Sequence, residues 1–239
     1  MGQEQCDKNG RRRQLHPAIL AGLCLLPAIQ TAVAVHFQLW PEVTYPLLKA
    51  AILLAPLIVW KLTGRRRDEL FADVGLTRPT LWRGLAGGGL FAAVIVGGYF
   101  LVLAGRIAPG SLADKVAALG IAQPLRYWGA AAFISLGNSA IEEYYWRGFL
   151  VSQLRRWVPG TAALCRVGGG LFGLHHIFAL ASSFSPGVVA LGVAGTIVAG
   201  GAWTWLRLRG WSLWDLYLCH VLADMAVFFV GWELIRSCP

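Results

Sequence analysis

Between Val167 and Leu206 forty consecutive residues pass without a Lys, Arg, Asp or Glu, and Gly84 to Gly105 adds another twenty-two. Uncharged apolar runs longer than about 18 residues are what a helix needs to cross a hydrocarbon core about 30 Å thick. Read this way, the pattern predicts seven spans, near 16–38, 44–62, 84–105, 127–157, 160–181, 187–206 and 212–235. The expected fold class is all-α, a polytopic transmembrane helical bundle. The second span is expected to be short and interrupted by Pro46 and Pro56, and its Lys49 to snorkel to the surface. Between the second and third spans, "GRRRDELFADVGLTRPTLWRG" reads as interfacial, with Leu70, Phe71, Leu76 and Trp82 resting on lipid. The chain divides into residues 1–126, three spans with basic loops, and 127–235, which carries the polar residues buried in the membrane.

Composition agrees with this class. Hydrophobic residues make up 56% of the chain and charged residues 14%, against about 25% charged in a soluble domain. A net charge of +9 raises nucleic acid as a partner, but the Lys and Arg fall in short loops with no interleaved stacking aromatics, so none is expected. With the N-terminus in the cytoplasm, fourteen Lys/Arg lie on the cytoplasmic side and five outside, the asymmetry that orients membrane proteins. Residues 11–34 imitate a signal peptide, yet the spans that follow favour an uncleaved first helix. Five cysteines without CxxC spacing suggest neither a zinc knuckle nor a disulfide framework. A short, loop-poor chain of this kind suits a prokaryotic cytoplasmic membrane.

Ionised side chains inside a membrane are costly and mark function by default. The fourth span contains "SAIEEYYWRGFL". Glu143 and Arg147 stand at i and i+4, so they meet on one helix face, while adjacent Glu142 points about 100° away. In the fifth span lie His175 and His176, and in the seventh His220 and Asp224, again at i and i+4. Glu142 precedes Pro159 by seventeen residues and His176 follows it by seventeen, which puts both about 25 Å from the turn. One polar layer drawn from three helices is expected. Asp215 and Glu233, near span ends, are expected at the interface.

These residues match a family pattern. "EEYYWR" resembles the EExxxR motif of the CPBP family, the CAAX proteases and bacteriocin-processing or ABI-type intramembrane proteases. "FGLHH" fits FxxxH, with His176 as the motif histidine, and "HVLAD" fits the third motif, a His followed four positions on by Asn or Asp. The resemblance covers roughly 127–235 and implies a glutamate-dependent intramembrane endopeptidase. It implies that Glu142 and His176 activate a water, that His220 and Asp224 stabilise the oxyanion, and that Glu143 and Arg147 support them. The implied substrate is a membrane-anchored peptide or protein, cut after a prenylated cysteine by eukaryotic relatives and more diverse in prokaryotic ones. No cofactor is expected. In a metal-assisted variant Glu142, His176 and His220 would supply three ligands to Zn²⁺ with a fourth position open, although the chain lacks HExxH. Two non-proteolytic classes stand beside this one: a membrane scaffold or immunity-type protein, and a proton-coupled transporter. Against transport, the chain shows no internal repeat.

Overall fold

The computed structural model describes residues 15–63, 75, 78–107 and 112–236. Most of the segment expected at the interface, including Leu70, Phe71 and Leu76, lies outside them, as does the basic N-terminal run. Among the described residues every regular element is helical. The elements are α1 (Pro17–Thr31), α2 (Pro41–Leu62), α3 (Leu81–Gly98), α4 (Leu112–Ala118), α5 (Pro124–Glu143), α6 (Val151–Leu154), α7 (Thr161–Ala181), α8 (Pro186–Leu208) and α9 (Leu213–Arg236). Three stretches of π-helix extend them: Ala32–His36 after α1, Tyr99–Leu103 after α3, and Tyr144–Leu150 joining α5 to α6.

The sequence explains where the helices begin. Pro17, Pro41, Pro124 and Pro186 each open a helix, where the missing N–H removes no bond and the fixed φ suits the first turn. Gly210, at φ +87°, ends α8 in the left-handed conformation that glycine adopts without penalty.

Among the described residues six helices are long and apolar enough to cross a membrane. The seventh expected span, α5 through α6, is not one of them, its apolar residues being interspersed with Arg126, Asn138, Glu142, Glu143 and Arg147. Even so, α5 exposes Leu125, Phe133 and Leu136, just as neighbouring helices expose Leu47, Val94, Leu101 and Val198. A belt of large apolar side chains on the outer surface is the mark of a protein solvated by lipid, and the chain is an integral membrane protein.

Close helix contacts build the bundle. α7 lies on α8, α3 on α9, α5 on α9, and α1 on α7. A Cβ on Gly169 would collide with the Ile197 carbonyl and sit 2.9 Å from the Gly201 nitrogen; one on Gly88 would lie 3.0 Å from Cys219 Cα. Only glycine permits backbones that close. Contacts between ends follow the expected alternation of crossings. At one end Leu213 N–H donates to the Gly75 carbonyl (2.9 Å) and Thr80 N–H to Asp215 Oδ1 (2.7 Å). At the other, Lys115 reaches the Ser182 carbonyl and Tyr127 Oη donates to the Phe228 carbonyl (2.8 Å).

Four expectations change here. α2 runs unbroken through Pro46 and Pro56, and Lys49 turns inward rather than snorkelling, donating to Asn138 Oδ1 at 2.6 Å. Asp215 is buried, not interfacial. It caps α9 reciprocally with Ser212, accepting from Ser212 N–H (3.1 Å) while its own N–H donates to Ser212 Oγ (3.1 Å), which satisfies otherwise orphan donors of the first turn. Glu233 is likewise buried, and it pairs with Arg236 at 2.7 Å.

Candidate active site

The EExxxR stretch lies where α5 passes into π-helix. Glu143 is the last residue of α5, and Tyr144–Leu150 follow with i→i+5 geometry, a widening found often at functional sites. Its walls are aromatic and dry: Tyr145, Trp146, Phe149 and Leu150 are buried in one apolar cluster with Phe172 and Trp203.

Into that cluster the chain places a buried ion pair. Arg147 Nη1 donates to Glu143 Oε1 at 2.9 Å, and Nη2 reaches the Gly200 carbonyl at 3.4 Å. The guanidinium carbon stands 4.4 Å from the Phe172 ring centroid and 5.1 Å from that of Trp203, so cation–π contacts replace part of the lost hydration. Glu143 also accepts from His220 Nδ1 at 2.8 Å. A carboxylate can only accept here, so the Nδ1 of His220 carries its hydrogen and Nε2 turns the other way. The spacing of Glu143 and Arg147 foretells their contact; nothing in the spacing foretells the third partner.

Glu142 faces elsewhere. Its Oε1 accepts from Asn138 Nδ2 at 2.6 Å and lies 3.5 Å from His175 Nε2; its Oε2 is 3.8 Å from His220 Nε2 and has no hydrogen-bond partner. It lines a cavity of about 200 Å³ whose walls also include Gln30, Lys49, Asn138, His175 and His176. His176 Nδ1 sits 2.9 Å from the Phe172 carbonyl. That oxygen only accepts, so Nδ1 is the protonated nitrogen and Nε2 keeps its lone pair.

Four of the expected residues come together as read from depth: Glu142 and His176 on the cavity, His220 beside Glu142, and Asp224 beside His220. His220 and Asp224 are not among the cavity walls. Their mutual contact is long, Nε2 to Oδ1 at 3.5 Å, and Asp224 Oδ2 instead accepts from Ser139 Oγ at 2.8 Å. Three residues escaped the sequence reading. Asn138 and Ser139, one turn before the paired acids, each hold one carboxylate, and the i,i+4 spacing of Asn138 to Glu142 was the available signal. The motif histidine is His176, yet it is His175 whose Nε2 lies 3.5 Å from Glu142 Oε1.

A cluster able to ligate a cation follows from this geometry. Glu142, His175 and His176 each offer one ligand atom, and these atoms lie within 4.8 Å of one another. That set differs from the expected Glu142, His176 and His220 in having His175 in place of His220. Ligands of a tetrahedral zinc stand about 3.4 Å apart, so the cluster would have to contract. Lys49, an ammonium on the same cavity, opposes a second cation there by like charge.

With this geometry established, comparison with known proteins gives one match. Residues 124–226 match the family "Rce1-like: Type II CAAX prenyl endopeptidase Rce1-like". No curated protein and no solved structure matches the chain. The matched segment runs from the start of α5 into α9 and includes every ionisable residue of the polar layer except Lys49. Over that segment, less than half of the chain, the protein is similar to the type II CAAX prenyl endopeptidases of that family.

Proposed function

We propose that this protein hydrolyses a peptide bond of a membrane-anchored substrate within the bilayer, with Glu142 as the general base. One observation carries the reading. Of two adjacent carboxylates, Glu143 is paired with Arg147 inside the apolar cluster, whereas Glu142 lines the cavity of about 200 Å³ beside His175 and His176. A carboxylate with a free lone pair on a water-sized space can take a proton from water.

The reaction balances with this chain's own residues. Water entering the cavity gives a proton to Glu142 as its oxygen bonds to the scissile carbonyl carbon, and the carbonyl electrons move to oxygen. His176 Nε2, carrying a lone pair, orients that water by accepting its second hydrogen. Negative charge on the tetrahedral intermediate is stabilised by His220 as the imidazolium, whose Nδ1–H is held by Glu143 and whose Nε2–H donates to the oxyanion, with Asp224 beside it. On collapse the C–N bond breaks and the proton on Glu142 passes to the leaving amine. Preorganised donors in a dry site favour the charged intermediate more than they would in water.

The similarity to CAAX prenyl endopeptidases supports one proposed substrate class, a chain whose C-terminal segment is released after a lipid-modified cysteine. The source membrane is proposed to be a prokaryotic cytoplasmic membrane, with the N-terminus on the cytoplasmic side. The Glu142, His175 and His176 cluster favours a second reading, a metal-assisted protease in which those residues hold the ion. The two readings part in chelator.

The test is hydrolysis of a prenylated CAAX-box peptide by the purified full chain in detergent. Glu142→Ala and His176→Ala are expected to insert and fold normally while losing cleavage, and activity is expected to persist in chelator. Wild-type turnover in either variant would sink the reading, and loss in chelator restored by Zn²⁺ would favour the metal.

A further inference from the structure

Lys49 lies outside the matched segment, in a span that carries none of the three motifs, and a lysine there has to be held by something. Its Nζ donates to Asn138 Oδ1 at 2.6 Å, and Asn138 Nδ2 donates to Glu142 Oε1 at 2.6 Å. All three residues line the same cavity. We propose that Lys49 and Asn138 are positioning residues for Glu142, a two-bond relay through which α2 sets the orientation of the base on α5.

The donor and acceptor inventory fixes the direction of this relay. An ammonium only donates, a carboxylate only accepts, and an amide has one group of each kind. Asn138 alone could face Glu142 with either end, and its carbonyl there would set oxygen against oxygen. Lys49 removes that freedom, because only the amide carbonyl satisfies it, so the NH₂ must point to Glu142. Bonds to charged partners at this length are among the strong ones. With Oε1 engaged, the unpartnered Oε2 is the oxygen left to receive the proton from water. A second tie between the same elements, Tyr144 Oη donating to the Leu53 carbonyl at 3.2 Å, keeps α2 in register with the start of the π-helix.

The relay gives the N-terminal spans a part in the chemistry. It rests on Glu142 being the base, and the experiment separates the two claims. The purified full chain in detergent hydrolyses an internally quenched prenylated CAAX peptide, and kcat, KM and the thermal unfolding midpoint are measured for each variant. Lys49→Met and Asn138→Leu should each lower kcat by roughly 10- to 100-fold, with KM and the midpoint little changed. The double variant should be no worse than the poorer single one, since both cut one chain of contacts. Lys49→Arg should recover most of the turnover.

Wild-type kcat in Lys49→Met, or losses that multiply in the double variant, would overturn the relay. If Lys49→Met does not accumulate, Asn138→Asp answers from the middle of the chain. It replaces the donor to Glu142 with a second carboxylate, so folded protein with undiminished kcat would overturn the relay equally. A Glu142→Ala variant that cleaves like wild type overturns the base itself. A dead Glu142→Ala beside unimpaired Lys49 and Asn138 variants removes the relay alone.

Discussion

Two glutamates adjacent in sequence carry different burdens because their neighbours differ. Glu143 is sealed between Arg147 and His220 in an aromatic cluster, where an uncompensated charge is expensive. Removing one partner of such a pair costs about 3–5 kcal/mol. Arg147→Met is therefore expected to lower the unfolding free energy in detergent by about that much, whereas Glu142→Gln should leave it nearly unchanged. Equal destabilisation by both would contradict the division of roles. Asp224 accepts from Ser139 and stands 3.5 Å from His220, so orientation is the task proposed for it, and an amide can keep the hydrogen bond from Ser139. Asp224→Asn is expected to keep substantial turnover; a variant as dead as Glu142→Ala in the same cleavage assay would refute that role. The pairing of Glu143 with Arg147 was legible because helical phase puts i and i+4 together. The part played by His175 was not, because adjacent histidines differ by only one step of phase and tertiary packing decides which ring meets Glu142.

Elements hold these side chains through backbone shape more than through propensity. The π-helix at Tyr144–Leu150 leaves no trace in the apolar pattern, which reads equally well as α-helix. The glycines of "GGGLFG" and "VAGG" seat α7 on α8 by letting the two backbones close. Gly169→Val is expected to push these helices apart and destabilise the bundle by about 1–3 kcal/mol, measured by thermal unfolding, while Gly170→Val, with open space at its Cβ, should do little. Asp215 was misread because a charge near a span end is usually wet. The correct signal was Ser212 three residues before it, a reciprocal cap in which Asp stands where Glu is usual.

At the scale of the whole molecule, the lipid-facing belt and the alternation of ends were written in the sequence as uncharged runs separated by basic loops. What the pattern could not show is which spans meet. The N-terminal helices carry no motif, yet Gln30 from α1 and Lys49 from α2 line the cavity beside Glu142. Contacts of that kind join residues about ninety positions apart and depend on packing that no local window reports. The expected orientation is open to labelling. In a chain whose own cysteines are replaced, Arg209→Cys should react with an impermeant maleimide only from the cytoplasmic side, and Ile121→Cys only from the opposite one. The reverse pattern would invert the topology without moving the site.

The central claim concerns a single proton acceptor, and one isosteric change addresses it. Glu142→Gln keeps the shape of the side chain and can still accept from Asn138, but it cannot take a proton from water. The rate of prenylated CAAX-peptide cleavage by this variant in proteoliposomes, beside the wild type, is the measurement to make. A loss of about 10²–10⁴-fold with an unchanged unfolding midpoint is the predicted result; turnover within a few-fold of wild type would contradict it.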